Sequence, residues 1–179
     1  MLIDEYLSAL NILGIFGIQY EKALKLSDTY IHKMKMKYIN QYGYTLMGRG
    51  SYRIGFELNS DWIIKFPLNS SGVRCNLVEA KLYEIYKNTG RYAKCCIKDY
   101  HGIPLIVMEN IKDFYEEHAG DPLNEVAHTG LPHWCHHQDG PQVGYNKKGK
   151  LKIYDYGNCI DELKRHKDFS KKSLTMVRK

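Results

Sequence analysis

The run Trp62-Ile63-Ile64-Lys65-Phe66 decides the fold: it is a short apolar stretch with one ammonium near its centre. Aromatic and β-branched residues gathered into so few positions point to a strand. A lysine between apolar neighbours is costly to bury unless a partner meets its charge, and a carboxylate or a phosphate is the natural one. Just upstream, residues 54–58 form a second β-rich run. Asn59-Ser60-Asp61 between the two is turn chemistry, so 54–66 reads as an antiparallel hairpin. Ahead of it stands Gly48-Arg49-Gly50-Ser51-Tyr52. Glycines let backbone N–H groups approach phosphate oxygens with no Cβ in the way, which makes this a phosphate-loop candidate; two glycines a residue apart also make an ordinary tight turn.

Downstream, residues 67–75 carry Pro67, Asn69, Ser70, Ser71 and Gly72 and read as a polar loop. Residues 76–88 read as an amphipathic helix with Leu77, Val78, Leu82 and Ile85 on its apolar face. Glu79 on that helix is the carboxylate expected to meet Lys65, because Leu77 and Leu82 in its context can pack on the sheet, with Glu84 as the fallback. Glu84 lies roughly 140° further round, so the two glutamates cannot both face the same lysine. Two more strands are expected at 95–100 and 104–109, joined at His101-Gly102, and a last hairpin at 142–145 and 151–154 ends on Asp155-Tyr156-Gly157. Upstream, residues 1–40 have helical spacing and read as two helices broken near 14–17. Residues 112–134 are weakly patterned, with one short helix at most.

The 179 residues, 44% of them hydrophobic, suffice for one domain with a buried core. A net charge of +6 permits contact with phosphates, nucleic acid or acidic surfaces without selecting among them. Its basic excess gathers at 33–37 and 164–179, where solvated charge is expected rather than a binding arm. No recognition motif accompanies that charge or the 15 tyrosines, so a nucleic-acid partner is not expected. Five cysteines without a disulfide-scaffold spacing, and no amino-terminal signal segment, point to a reducing cytoplasm. Cys135 with His133, His136 and His137 has the residue types of a zinc site, but no second pair completes a tetrahedron and no structural zinc is expected. No apolar run approaches the ~20 residues that span a bilayer, so no membrane partner is expected.

Taken in chain order, Gly48-x-Gly50, Ile63-Ile64-Lys65, Glu79, Leu105-Ile106-Val107-Met108-Glu109 and Asp155-Tyr156-Gly157 resemble the motifs of the protein-kinase fold. Residues 44–158 are similar to the kinase-like proteins encoded by bacteriophages. The resemblance implies an α+β fold: a protein-kinase-like N-lobe of antiparallel sheet plus helix, a truncated C-lobe carrying a catalytic-loop and metal-loop hairpin, and an N-terminal helical extension. The corresponding parts are 1–43, 44–111 and 112–179, within one compact domain. It further implies ATP and Mg2+ as ligands, and the host cytoplasm as location if the chain is phage-encoded. Gly48, Gly50, Ser51 and Lys65 would hold phosphate. Met108 would stand near the gatekeeper position, and the backbone of 109–111, beginning at Glu109, would take adenine. Asp155 falls where the family places a magnesium-binding aspartate, with Tyr156 for the usual phenylalanine; Mg2+ is a hard cation that takes oxygen ligands.

The departures from that family are equally definite. Arg53 stands where the third glycine of the kinase loop belongs, and about two dozen residues follow Gly157, so a conventional peptide-substrate groove is not expected. The family spacing of the catalytic loop puts its metal-binding amide on Gln142 and its base on His137; a rearranged loop would give the base role to Asp139, whose carboxylate is ionised at neutral pH. Two function classes follow. One is an atypical phosphotransferase that moves phosphate from ATP to a host protein. The other is a catalytically inactive pseudokinase that binds and inhibits a host protein of defence or transcription. Retention of Lys65, Glu79 and Asp155 together favours the first; the altered loop and absent peptide platform favour the second.

Overall fold

The computed structural model describes residue 23 and residues 25–43, 45–113 and 143–159. Among these the elements are α1 (Asp28–Tyr42), β1 (Leu46–Arg49), β2 (Arg53–Asn59), β3 (Trp62–Pro67), α2 (Ser70–Tyr86), β4 (Cys95–Tyr100), β5 (Ile103–Glu109), β6 (Lys112–Asp113), β7 (Val143–Tyr145) and β8 (Leu151–Ile153). The class is α+β. Five strands form one sheet in the order β1-β2-β3-β5-β4, and β6-β7-β8 form a second. All neighbouring strands in both sheets run antiparallel.

Local chemistry explains the turns. The Asn59 side-chain oxygen accepts from the N–H groups of Asp61 and Trp62 at 2.9 and 3.0 Å, closing the β2–β3 hairpin as an Asx turn. At the β4–β5 turn His101 and Gly102 both take positive φ. In the β7–β8 turn Asn146 accepts from the N–H groups of Lys148 and Lys150, and Gly149 takes φ 67°. Pro104, near the start of β5, lies beyond the last residue of β5 that pairs with β3, so its missing N–H costs no ladder bond on that side.

The central strand has two faces. Phe66 is fully buried against Tyr38 of α1, with ring centroids 5.3 Å apart. Ile31, Met34 and Tyr38 form the buried stripe by which α1 rests on the sheet, while Lys33 and Lys37 on the same helix are exposed. The period of two along β3 then sends Lys65 to the opposite face, where α2 runs.

The structure moves three boundaries. Residues 70–75, expected in a polar loop, are the first turns of α2: the Asn69 side chain caps the helix by accepting from Gly72 N–H at 2.9 Å, and Val73 and Cys75 are buried. Ser-Ser-Gly reads as loop because its helix is stabilised by tertiary packing. A Cβ at Gly72 would collide with the Tyr52 carbonyl, so the glycine is there to let the β1–β2 connection approach. Gly48 and Arg49, expected in a turn, pair with Gly55 and Ile54 as part of β1, which leaves the turn to residues 50–52. β5 starts at Ile103, one residue early. Of the two helices expected over 1–40, the first lies outside the described residues, and the second is met by α1, which begins at Asp28 behind its Ser27 cap. The short helix expected between 114 and 134, the residues His133, Cys135, His136, His137, Asp139 and Gln142, and the tail 164–179 also lie outside the described residues.

Candidate functional site

Lys65 reaches Glu79 as the sequence suggested. Its Nζ donates to Glu79 Oε1 at 3.1 Å and stands 3.4 Å from Asp155 Oδ1. Three segments far apart in the chain meet here: β3 contributes the lysine, α2 the glutamate, and the turn after β8 the aspartate. The lysine side chain is 10% exposed, that of Glu79 0% and that of Asp155 48%, so two charges are enclosed and the third opens to solvent.

Glu79 organises the cluster. Its Oε1 accepts from Lys65 and also from the backbone N–H of Tyr156 at 3.1 Å; its Oε2 accepts from the Arg53 guanidinium. Burial pushes the Glu79 carboxyl up, but Arg53 and Lys65 together outweigh it and hold its pKa below the ordinary value. The reverse holds for Lys65: desolvation lowers its pKa from 10.5 to about 8, and Glu79 recovers only part of the loss.

The aspartate's placement is enforced from below. Tyr156 is fully buried, its ring edge-on to Tyr92 with centroids 5.2 Å apart and its hydroxyl donating to the Ala93 carbonyl at 3.3 Å. A Cβ at Gly157 would stand 2.8 Å from both Cβ and O of Cys75, so only glycine lets this turn lie on α2. Between β8 and that anchor Asp155 takes φ 55°, a left-handed conformation that costs a non-glycine residue about 1 kcal/mol or more. Such strain is held where the surroundings over-determine it, and here it turns the carboxylate outward.

Gly48, Gly55, Lys65 and Ile106 form one row across the sheet. Gly48 therefore stands two strand spacings, about 10 Å, from Lys65 along the hydrogen-bonding direction. Gly48 and Gly50 have ordinary φ, and a Cβ at either would meet nothing closer than 3.8 Å. The fold itself does not require glycine at these two positions. Ser51 is exposed in the turn that follows.

The expected adenine edge is more restricted than its sequence suggested. Met108 is fully buried. Glu109 N–H donates to the Lys94 carbonyl at 2.7 Å and Asn110 N–H to the Asp61 carbonyl at 2.8 Å, so two of the three N–H groups of 109–111 are engaged within the fold. The Glu109 carboxylate accepts from Asn146 Nδ2 and Lys94 N–H. It lines a groove of about 440 Å³ with Trp62 and Asn146, at the end of β3 away from Phe66.

Two site residues escaped the sequence reading. Arg53, noted only as a departure from a glycine pattern, forks its guanidinium between Glu79 and Asp155. Asn76 is fully buried one helical turn before Glu79; its Nδ2 donates to the carbonyls of Lys65 and Pro104 at 3.1 and 2.8 Å, and its Oδ1 lies 3.4 Å from Arg53 Nη1. An asparagine three residues before the key glutamate, on its face of the helix, was the available signal. Asp139, His137 and Gln142 fall outside the described residues.

Among the described residues no three His, Cys, Asp or Glu side chains form a metal cage. Mg2+ does not need one, because it is commonly held by one or two carboxylates together with substrate phosphates. The half-exposed, outward-turned Asp155 fits that mode of binding.

No protein-family model matches this sequence, and no curated protein matches it. Solved structures similar to it include the GDP and kanamycin complex of APH(2")-IIia, at 18% identity and TM-score 0.33 over 56% of this chain, and a GDP complex of a mutant aminoglycoside 2'-phosphotransferase IIIa, at 18% and 0.33 over 59%. This chain spans 35% of the length of each. A likeness of that size is a partial overlap and assigns neither an activity nor a family.

Proposed function

We propose that this chain binds ATP with Mg2+ at the Lys65–Glu79–Asp155 cluster and transfers the terminal phosphoryl group to an acceptor hydroxyl. The observation that carries this reading is the Glu79 carboxylate, enclosed and shared between Lys65 and the Tyr156 N–H. That one group fixes a cation and a half-exposed carboxylate side by side. A lysine on a strand paired with a glutamate on the following helix, beside a metal-binding aspartate, is the arrangement with which protein kinases hold nucleotide phosphates.

In this reading Lys65 neutralises phosphate oxygens and Glu79 keeps its ammonium in place. Asp155 and Gln142 would hold Mg2+, which supplies charge neutralisation on the phosphates when bound. Gly48, Gly50 and Ser51 would cover the phosphates, and the segment from Met108 to residue 111 would border the base. The acceptor oxygen bonds to the terminal phosphorus as the bond to the leaving diphosphate breaks. Its proton passes to Asp139 or His137. A phage origin and a host protein as acceptor rest on the sequence resemblance alone.

A second reading is favoured by Arg53. Its guanidinium already occupies the Asp155 carboxylate, as expected of a pseudokinase that binds a host protein without catalysis. Formation of ADP from ATP and Mg2+, measured for wild type and Asp155→Asn with host extract supplying the acceptor, separates the two. Turnover that Asp155→Asn loses supports phosphotransfer; binding without turnover in the presence of host extract supports the inactive reading.

A further inference from the structure

Arg53 makes the cluster electrically closed. Two cations, Arg53 and Lys65, face two carboxylates, Glu79 and Asp155, and each cation touches both carboxylates. Both cations converge on the same atom, Asp155 Oδ1. A divalent cation arriving at that oxygen brings two further positive charges to a place where two already stand, and like charges at such range oppose one another strongly in a partly buried site. The Arg53 side chain is 11% exposed and that of Asp155 48%, so the aspartate is the open member of the pair. Arg53 is also the first residue of β2, directly after the turn at 50–52.

From this geometry we propose that Arg53 is the resident counter-cation of Asp155, and that a divalent cation enters only as the guanidinium lets go of Oδ1. The proposal rests on the reading of Asp155 as the metal carboxylate. Arg53 acts here as a positioning residue: it sets the affinity of the empty site for metal, and its fork keeps Glu79 and Asp155 from repelling each other until ligand arrives. Nη1 can keep its hold on Glu79 while Nη2 is released, so the lysine–glutamate pair stays intact through the exchange.

The test is binding of Mn2+ alone, without nucleotide, followed by the loss of the free-ion electron paramagnetic resonance signal. Arg53→Gln removes the charge. Arg53→Lys keeps a cation for Glu79 but cannot fork across both carboxylates, and it carries the test should Arg53→Gln fail to give a wild-type circular dichroism spectrum. The expected result is tightening of Mn2+ binding by about tenfold or more in Arg53→Gln, the scale of one neighbouring charge removed from a partly buried site, and a smaller tightening in Arg53→Lys, whose charge stays with Glu79 and leaves Asp155. Addition of Asp155→Asn to the same variant should return it to weak binding. Affinity unchanged or weakened in the substituted protein overturns the role of Arg53 and leaves Asp155 untouched. Tightening that survives Asp155→Asn places the cation elsewhere and overturns the reading of Asp155 together with the proposal.

Discussion

Glu79 and Lys65 form one ion pair, yet the structure makes their removal unequal. Glu79→Gln takes away the negative charge shared by Lys65 and Arg53, and one of the two acceptor oxygens that meet Lys65, Arg53 and the Tyr156 N–H, leaving two enclosed cations to the single half-exposed carboxylate of Asp155. Breaking a buried pair from the side that strands the remaining charge costs about 3–5 kcal/mol. Lys65→Met leaves Glu79 still paired with Arg53. It also relieves the penalty that desolvation imposes on the ammonium, since a pKa lowered from 10.5 to about 8 corresponds to roughly 3 kcal/mol. Lys65→Met should therefore be at least as stable as wild type, while Glu79→Gln should lose a fifth or more of a typical total of about 5–15 kcal/mol. Urea denaturation at pH 7, followed by far-ultraviolet circular dichroism, measures both. A Glu79→Gln protein as stable as wild type, or a Lys65→Met protein as damaged as Glu79→Gln, would refute the shared-carboxylate geometry.

The lysine also sets a pH dependence of definite sign. Its folded pKa of about 8 lies below the ordinary 10.5, so between those values the unfolded chain binds the extra proton and stability rises with pH, by up to about 1.4 kcal/mol per unit. Cys95 and Tyr156 are pushed upward by burial and act oppositely at alkaline pH, so the comparison to make is wild type against Lys65→Met across pH 8 to 10; a flat difference would show that Lys65 titrates normally. Gly157→Ala should cost about 1–3 kcal/mol in the same urea assay, because its Cβ would stand 2.8 Å from Cys75 Cβ and O; a neutral result would mean the turn can lift off α2. Of Asp139→Ala and His137→Ala, one should lose most ADP formation or autophosphorylation and the other keep it, and full activity in both would remove that loop from the mechanism.

The hairpin at β2 and β3 was legible because its turn residues and its apolar runs agree, and Lys65 was legible because a charge inside such a run demands a partner. Glu79, over Glu84, was legible from its neighbours Leu77 and Leu82, which are buried, and from the kinase resemblance. The start of α2 was not, since Ser70, Ser71 and Gly72 have loop propensities and become helical through the Asn69 cap and the packing of Val73 and Cys75. Arg53 was seen as a missing glycine and not as a ligand of two carboxylates, because its partners lie 26 and 102 residues away. Neither separation leaves a local pattern. The engaged N–H groups of Glu109 and Asn110 were hidden for the same reason: their acceptors belong to the segment before β4 and to the β2–β3 turn.

The claim that Lys65, Glu79 and Asp155 form a nucleotide phosphate site is tested most directly by calorimetric titration of ATP with Mg2+ into the wild-type protein and into Lys65→Met, whose fold should be intact. Saturable binding by wild type, weakened by about tenfold or more in Lys65→Met through loss of one phosphate-facing charge, is the expected result. Absence of binding by wild type at millimolar nucleotide, or equal affinity in the two proteins, would contradict it.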